Sequence, residues 1–197
     1  MQKSFVAARF FKTVQNLNRL PEILRCQRHT KQWLELTSAY VGLKVHLPFK
    51  VNLRSGEFQF CELSDVATFW QIFYRKVYPV RASDYLIIDA GANIGAFTLF
   101  ALQSAPRAKV IAIEPAPDSC SRVRSMLRDH NLESRCTLHE VALTKSIEQT
   151  TINLGVGSQF RRIGTPGHIV PSLTLDSLIP PGATVDLLKA DIKGAEL

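Results

Sequence analysis

The run LIIDAGANIGAFTLF, Leu86 to Phe100, constrains this chain more than any other stretch. It opens with Leu86, Ile87 and Ile88, the signature of a buried strand, and closes that strand with Asp89. Gly91 and Gly95 follow in a short loop, and from Ala96 to Gln103 the apolar residues recur at helical density. Strand, glycine loop and helix in immediate succession specify one unit of an α/β layer. Such a loop lets a ligand approach the backbone closely, and the start of the helix adds unpaired N–H groups and a partial positive charge.

The same rhythm extends along the chain. Strands are expected at Tyr85–Ile88, Val110–Ile113, Thr137–Leu143 and Val185–Ala190, alternating with helices at Ala96–Gln103 and Ser119–His130. That alternation is the pattern of a mainly parallel sheet with helices on both faces. Gln149–Leu154 and Ile169–Leu175 read as an inserted hairpin, joined by a loop rich in Gly and Pro. Upstream, Lys44–Leu53, the turn Ser55-Gly56 and Phe58–Cys61 form a second hairpin, which leads into a helix over Asp65–Tyr74. Three stretches result: a helical segment 1–43, a hairpin and helix 44–80, and the α/β domain 81–197.

Within the first stretch, Val6, Phe10, Val14 and Leu17 share a helical face, with Lys3, Arg9, Lys12 and Arg19 around them. Pro21 ends this helix and opens the next, which is anchored by Ile23, Leu24, Trp33, Leu36 and Tyr40. Charge is uneven: Met1 to Val80 holds 12 Lys and Arg against 5 Asp and Glu, whereas the remainder holds 12 of each. A basic face of this kind suits a solvated helix or contact with an anionic membrane surface. No run approaches the ~20 apolar residues of a membrane span, and no secretory signal pattern is present, so a cytoplasmic protein is expected. A mitochondrial or membrane-peripheral location is the alternative, because no acidic residue precedes Glu22. Cys26, Cys61, Cys120 and Cys136 lie too far apart for the close pairs of a zinc site, and no metal is expected.

The chemistry is carried by the loop and the residues around it. A dinucleotide site would show G-x-G-x-x-G, but Asn93 occupies the second glycine position. Asp89 would repel a pyrophosphate, whereas its charge suits the ammonium and sulfonium of S-adenosylmethionine. Glu114 ends the second strand nineteen residues past Gly95, near the ~20-residue offset at which an acidic side chain accepts ribose hydroxyls.

IIDAGANIGAF, Ile87 to Phe97, followed by IAIEPAPDS, Ile111 to Ser119, resembles the opening of the FkbM-type methyltransferases. HEVALT (His139–Thr144), SLTLDSLI (Ser172–Ile179) and VDLLKADIKGAEL (Val185–Leu197) extend the likeness, and LSDVATFWQIFYRKVY (Leu63–Tyr78) resembles the family's approach to the domain. The resemblance implies a class I methyltransferase fold, Rossmann-like, with S-adenosylmethionine as cofactor. It implies that Asp89, Gly91, Asn93, Gly95 and Glu114 bind that cofactor, that Ala142 lies near its adenine, and that Asp191 faces the transferred methyl. O-methylation of a hydroxyl on a sugar, polyketide or similar small acceptor follows, with nucleic acid not expected as substrate. The alternative is a non-catalytic nucleoside-binding protein derived from such an enzyme.

Two positions depart from the family pattern. Lys193 stands where it is usually acidic, and Gln71 stands where it often has Glu. The resemblance also predicts a further helix and about three more strands beyond Leu197. Without them, the fourth strand is an edge expected to favour self-association.

Overall fold

The computed structural model describes residues 20–43, 45–154, 163–164 and 167–192. The expected helix Lys3–Leu20, the glycine-rich loop after Leu154, and Lys193 therefore lie largely or wholly outside the described residues.

The expected second helix is two: α1 (Leu20–His29), with Pro21 in its first turn, and α2 (Trp33–Tyr40). A hairpin follows, β1 (Phe49–Leu53) with β2 (Gly56–Phe60), paired so that Phe49 meets Phe60 and Val51 meets Phe58. Its alternation buries one face and exposes the other, as a two-stranded ribbon on a core requires. Helix α3 (Leu63–Phe73) begins two residues earlier than its apolar pattern indicates, because Glu62 and Asp65 form a reciprocal capping box. The buried Asp65 carboxylate also accepts from the Cys61 and Glu62 amides and pairs with Arg122 at 2.7 Å.

The main sheet contains β3 (Leu86–Ala90), β4 (Lys109–Ile113), β5 (Cys136–His139) and β9 (Leu187–Ala190), all parallel, in the order β5-β4-β3-β9. Helices α4 (Ala96–Ser104) and α5 (Pro117–Asp129) make the crossovers. The strand run expected over Thr137–Leu143 is broken after His139. Its end, β6 (Ala142–Leu143), instead joins a second sheet with β7 (Glu148–Ile152) and β8 (His168–Leu173). The inserted hairpin is β7 with β8, antiparallel, and a short helix α6 (Leu175–Leu178) follows it.

Side chains alternate across the sheet. Ile87, Val110 and Ala112 face the long helices, while Leu86, Ile88, Ile111 and Ile113 face α6 and Val141. Both faces are covered, but among the described residues α6, only four residues long, is the helix on the second face. The first core is continuous from Cys26 and Leu36 of α1 and α2 through Phe60, Phe69 and Trp70 to Phe97 and Leu127. The breaks near residues 43 and 80 thus mark changes of texture along one shared core. Tyr40 stacks on Trp70 at 4.1 Å, and the Trp70 indole donates to Glu22 at 2.6 Å. No helix among the described residues is long and apolar enough to cross a membrane.

Candidate active site

In this strand order successive strands are added on one side of β3 and then, with β9, on the other, and ligands of open parallel sheets bind outside the carboxyl ends of the strands at such a switch. Six of the seven residues expected to form the site fall around that edge, although they do different things there.

Asp89 is fully buried in β3, and both of its oxygens are engaged. Oδ2 accepts from the Thr98 hydroxyl at 2.7 Å, and Oδ1 pairs with the ammonium of Lys189 at 2.8 Å. Lys189 is its register partner on β9. The same ammonium donates to the Gly91 carbonyl at 2.6 Å and lies 6.0 Å from the centre of the Phe97 ring. Burial works against the Lys189 charge, but the ion pair and hydrogen bond to Asp89, together with Asp191 and Tyr78, leave its pKa raised. Asp89 therefore acts as half of a buried pair behind the loop rather than as an open carboxylate.

The loop is fixed by backbone bonds. Gly91 and Ala92 both donate to the Ile113 carbonyl, and Asn93, at φ 50°, donates its amide to Glu114 Oε2 at 2.8 Å. The other Glu114 oxygen accepts from the Ala116 amide at 3.0 Å, so Glu114 joins the end of β4 to the loop. Gly91 and Gly95 both adopt positive φ, which favours glycine. The space beside each is filled by protein: a Cβ on Gly91 would collide with the Asp191 carbonyl oxygen, and one on Gly95 would lie 2.7 Å from Met126. Their smallness serves the meeting of loop with β9 and with α5. Ala142 is fully buried in an apolar cluster with Ala116, Ile152 and Val170, two residues beyond Glu114 at Ala116. It does not line the cavity described next.

That cavity, about 80 Å3, is bounded by Gly91, Asn93, Phe97, Asp191 and one face of α3, where Ser64, Thr68 and Gln71 follow at helical spacing. Asp191, just past β9, is exposed and donates its amide to the Ala90 carbonyl at 2.9 Å. Tyr78 completes the wall, its ring edge-on to Phe97 at 5.1 Å. Burial raises the Tyr78 pKa, Lys189 lowers it, and Asp191 and Asp89 raise it further, so the phenol stays protonated near neutrality. Tyr78, Thr98 and Lys189 are site residues that sequence reasoning missed. Lys189 had one signal, as a lysine placed alone within the apolar fourth strand.

The chain is similar to known methyltransferases. The family model of the FkbM methyltransferase domain matches residues 89–197, more than half of the chain. Methyltransferase 1 of Beauveria bassiana is 39% identical over 64 residues, covering 32% of this chain and 26% of that protein. Methyltransferase sdnD of Sordaria araneosa is 27% identical over 171 residues, covering 64% of this chain and 66% of its own length. The chain therefore spans between about a quarter and two thirds of these relatives. A crystal structure of an FkbM methyltransferase from Methylobacillus flagellatus aligns over 92% of this chain and 43% of its own, with TM-score 0.47 and 16% identity. By the match over Asp89 to Leu197, with the loop and both acidic strand ends in place, this chain belongs to the FkbM methyltransferase family.

Proposed function

We propose that the chain forms the S-adenosylmethionine side of an O-methyltransferase acting on a hydroxyl of a sugar, polyketide or similar small acceptor. The observation that carries this reading is the charge at the switch point: Asp89, Lys189 and Asp191 together leave one net negative charge beside the glycine loop. That balance fits a cationic sulfonium and disfavours a pyrophosphate. Asp89, Gly91, Asn93, Gly95 and Glu114 are the residues that would hold the cofactor, directly or by shaping its loop, with Ala142 behind the adenine side. Bound there, the cofactor supplies an electrophilic methyl group that an acceptor oxygen takes in one in-line displacement.

The protein's own part is positioning, which can account for as much as ~7–11 kcal/mol of such a barrier. Asp191 is the exposed carboxylate at the cavity and accepts the proton of the acceptor hydroxyl. Tyr78 and Gln71 offer hydrogen bonds on the acceptor side, while Ile72 and Phe97 exclude water. A second reading is cofactor binding without turnover, because the enclosed space, about 80 Å3 against ~300–1,000 Å3 for ordinary ligand pockets, does not hold a cofactor and an acceptor together unless its walls shift.

Calorimetry with S-adenosylmethionine, its demethylated product and a nicotinamide dinucleotide tests the binding half. Equal or tighter dinucleotide binding overturns it. Release of demethylated cofactor with a panel of hydroxylated acceptors tests turnover: Asp191→Asn is expected to lower transfer more than cofactor affinity. Binding with no transfer to any acceptor selects the second reading.

A further inference from the structure

Among the described residues, no cation of the segment 1–80 lines the site above. Four of that segment's twelve cations, Arg25, Arg28, Arg54 and Lys76, instead line one cleft of about 570 Å3 at the other end of α4. That volume lies within the ~300–1,000 Å3 of ligand pockets. The four come from three places in the fold: α1, the β1–β2 turn and the segment after α3. Among the described residues no carboxylate lines the cleft, and none of the four cations forms an ion pair.

The simplest structural account is that these cations offset the negative poles of helix C-termini. It covers Arg25, whose guanidinium donates to the Tyr74 carbonyl at 2.6 Å just past α3. It also covers Arg28, in the last turn of α1. Arg54 sits on a hairpin turn, in no helix of its own, and reaches the cleft beside Gln103 and Ser104 of the last turn of α4. Lys76, at φ 55°, stands at the close of α3, where the Arg75 and Val77 amides donate to the Trp70 and Gln71 carbonyls, so the account covers its backbone but not why its side chain shares one concavity with three arginines. The floor of the cleft is apolar, with Phe73 and Phe100 edge-on at 5.4 Å. His29 lies against Phe73 with its Nδ1 3.3 Å from the Tyr74 hydroxyl. Burial lowers its pKa, and so do the charges of Arg54 and Lys76.

We infer that this cleft is a second binding site, taking the phosphate group of a small organic phosphate or of a lipid headgroup. Cations drawn from separate elements around one concavity match a dianion, and guanidinium forks bind its oxygens in pairs. The phenylalanine floor receives the carbon skeleton next to the phosphate. The nine residues of α4, about 13 Å, separate the two sites, with Ala96 at the glycine loop and Ser104 at the cleft. The inference stands whether or not the chain transfers a methyl group.

The test titrates the full chain with inorganic phosphate, and separately with phosphatidylcholine vesicles containing phosphatidic acid, each against sodium chloride at matched ionic strength. Thermal melting follows the first and cosedimentation the second. Arg28→Gln/Arg54→Gln is compared with Arg124→Gln/Lys145→Gln, which removes the same charge from exposed positions outside the cleft. Phosphate is expected to raise Tm beyond chloride, with apparent affinity weakened at least about tenfold in the first double variant and unchanged in the second. Vesicle retention with the same dependence on Arg28 and Arg54 names the lipid headgroup as the source. A phosphate effect without vesicle retention names a soluble phosphate. Equal effects of phosphate and chloride, or equal losses in both double variants, overturn the site.

Discussion

The interior around Trp70 and the interior beneath Gly91 are both buried and are built in opposite ways. Around Trp70, stability is spread over many ring contacts: Tyr40 stacks on it, Tyr74 meets it edge-on, and Phe58, Phe60, Phe69 and Phe73 continue the cluster. Beneath Gly91 it is concentrated in a few directed bonds between Asp89, Thr98, Lys189 and the loop carbonyl. An aromatic interior responds to lost volume, whereas a charged one responds to imbalance.

The largest effect is expected in the aromatic region. Trp70→Ala should cost about 3–5 kcal/mol in urea unfolding, because it removes a fully buried indole that ties α2 and Glu22 of α1 to α3. A loss under about 1 kcal/mol would show that α1 and α2 are loosely attached and would end the comparison.

Next comes the charged region. Lys189→Met should cost about 3 kcal/mol, since it leaves the Asp89 carboxylate buried and unpaired. Asp89→Asn combined with Lys189→Met should recover most of that loss. Simple addition of the two single losses in a double-mutant cycle would show that the pair is not coupled.

A smaller contrast separates two glycines. Gly91 and Gly182 share positive φ, but a Cβ meets the Asp191 carbonyl at the first and open space at the second. Gly91→Ala should cost about 1–3 kcal/mol and Gly182→Ala clearly less, so equal losses would assign the whole effect to backbone conformation.

The smallest effect concerns pH. Burial lowers the pKa of His130, although the Glu57 carbonyl and Asp129 act the other way. The unfolded chain, titrating near 6.5, therefore takes up the proton first as pH falls. Stability should decline from about pH 7 toward pH 5, where the unfolded state binds more protons, and His130→Gln should flatten part of that slope. The buried ring now contacts Ser55 Oγ at 2.7 Å and the Glu57 carbonyl at 2.9 Å. An unchanged slope in Tm against pH would remove His130 from the account.

Much of this was legible in the sequence because it is local. Leu86 to Ser104 announces strand, loop and helix within nineteen residues, and the parallel order follows from the alternation that continues after it. The pairing of Asp89 with Lys189 spans 100 residues and depends on the β3–β9 register, which no window of sequence contains. Hydrophobic alternation from Thr137 to Leu143 likewise does not record that the chain leaves one sheet after His139 and enters another at Ala142. The reason for the glycine at position 91 was invisible for the same cause, because its neighbour in space is the carbonyl of Asp191.

That contact limits how a site of this kind can change. Strand β9 leads into Asp191, clamps the Gly91 carbonyl through Lys189, and thereby seats the Asp191 carbonyl where a side chain on Gly91 would stand. A substitution that slides β9 moves the loop with it, so the strand has little freedom to explore new acceptors without disturbing what the loop holds. Ser64, Thr68 and Gln71 border the same cavity from the rim of α3, outside that clamp. On the methyl-transfer reading proposed above, new acceptor preferences in a lineage sharing this architecture have an open route through those three positions, and selection on acceptor choice should be written there first.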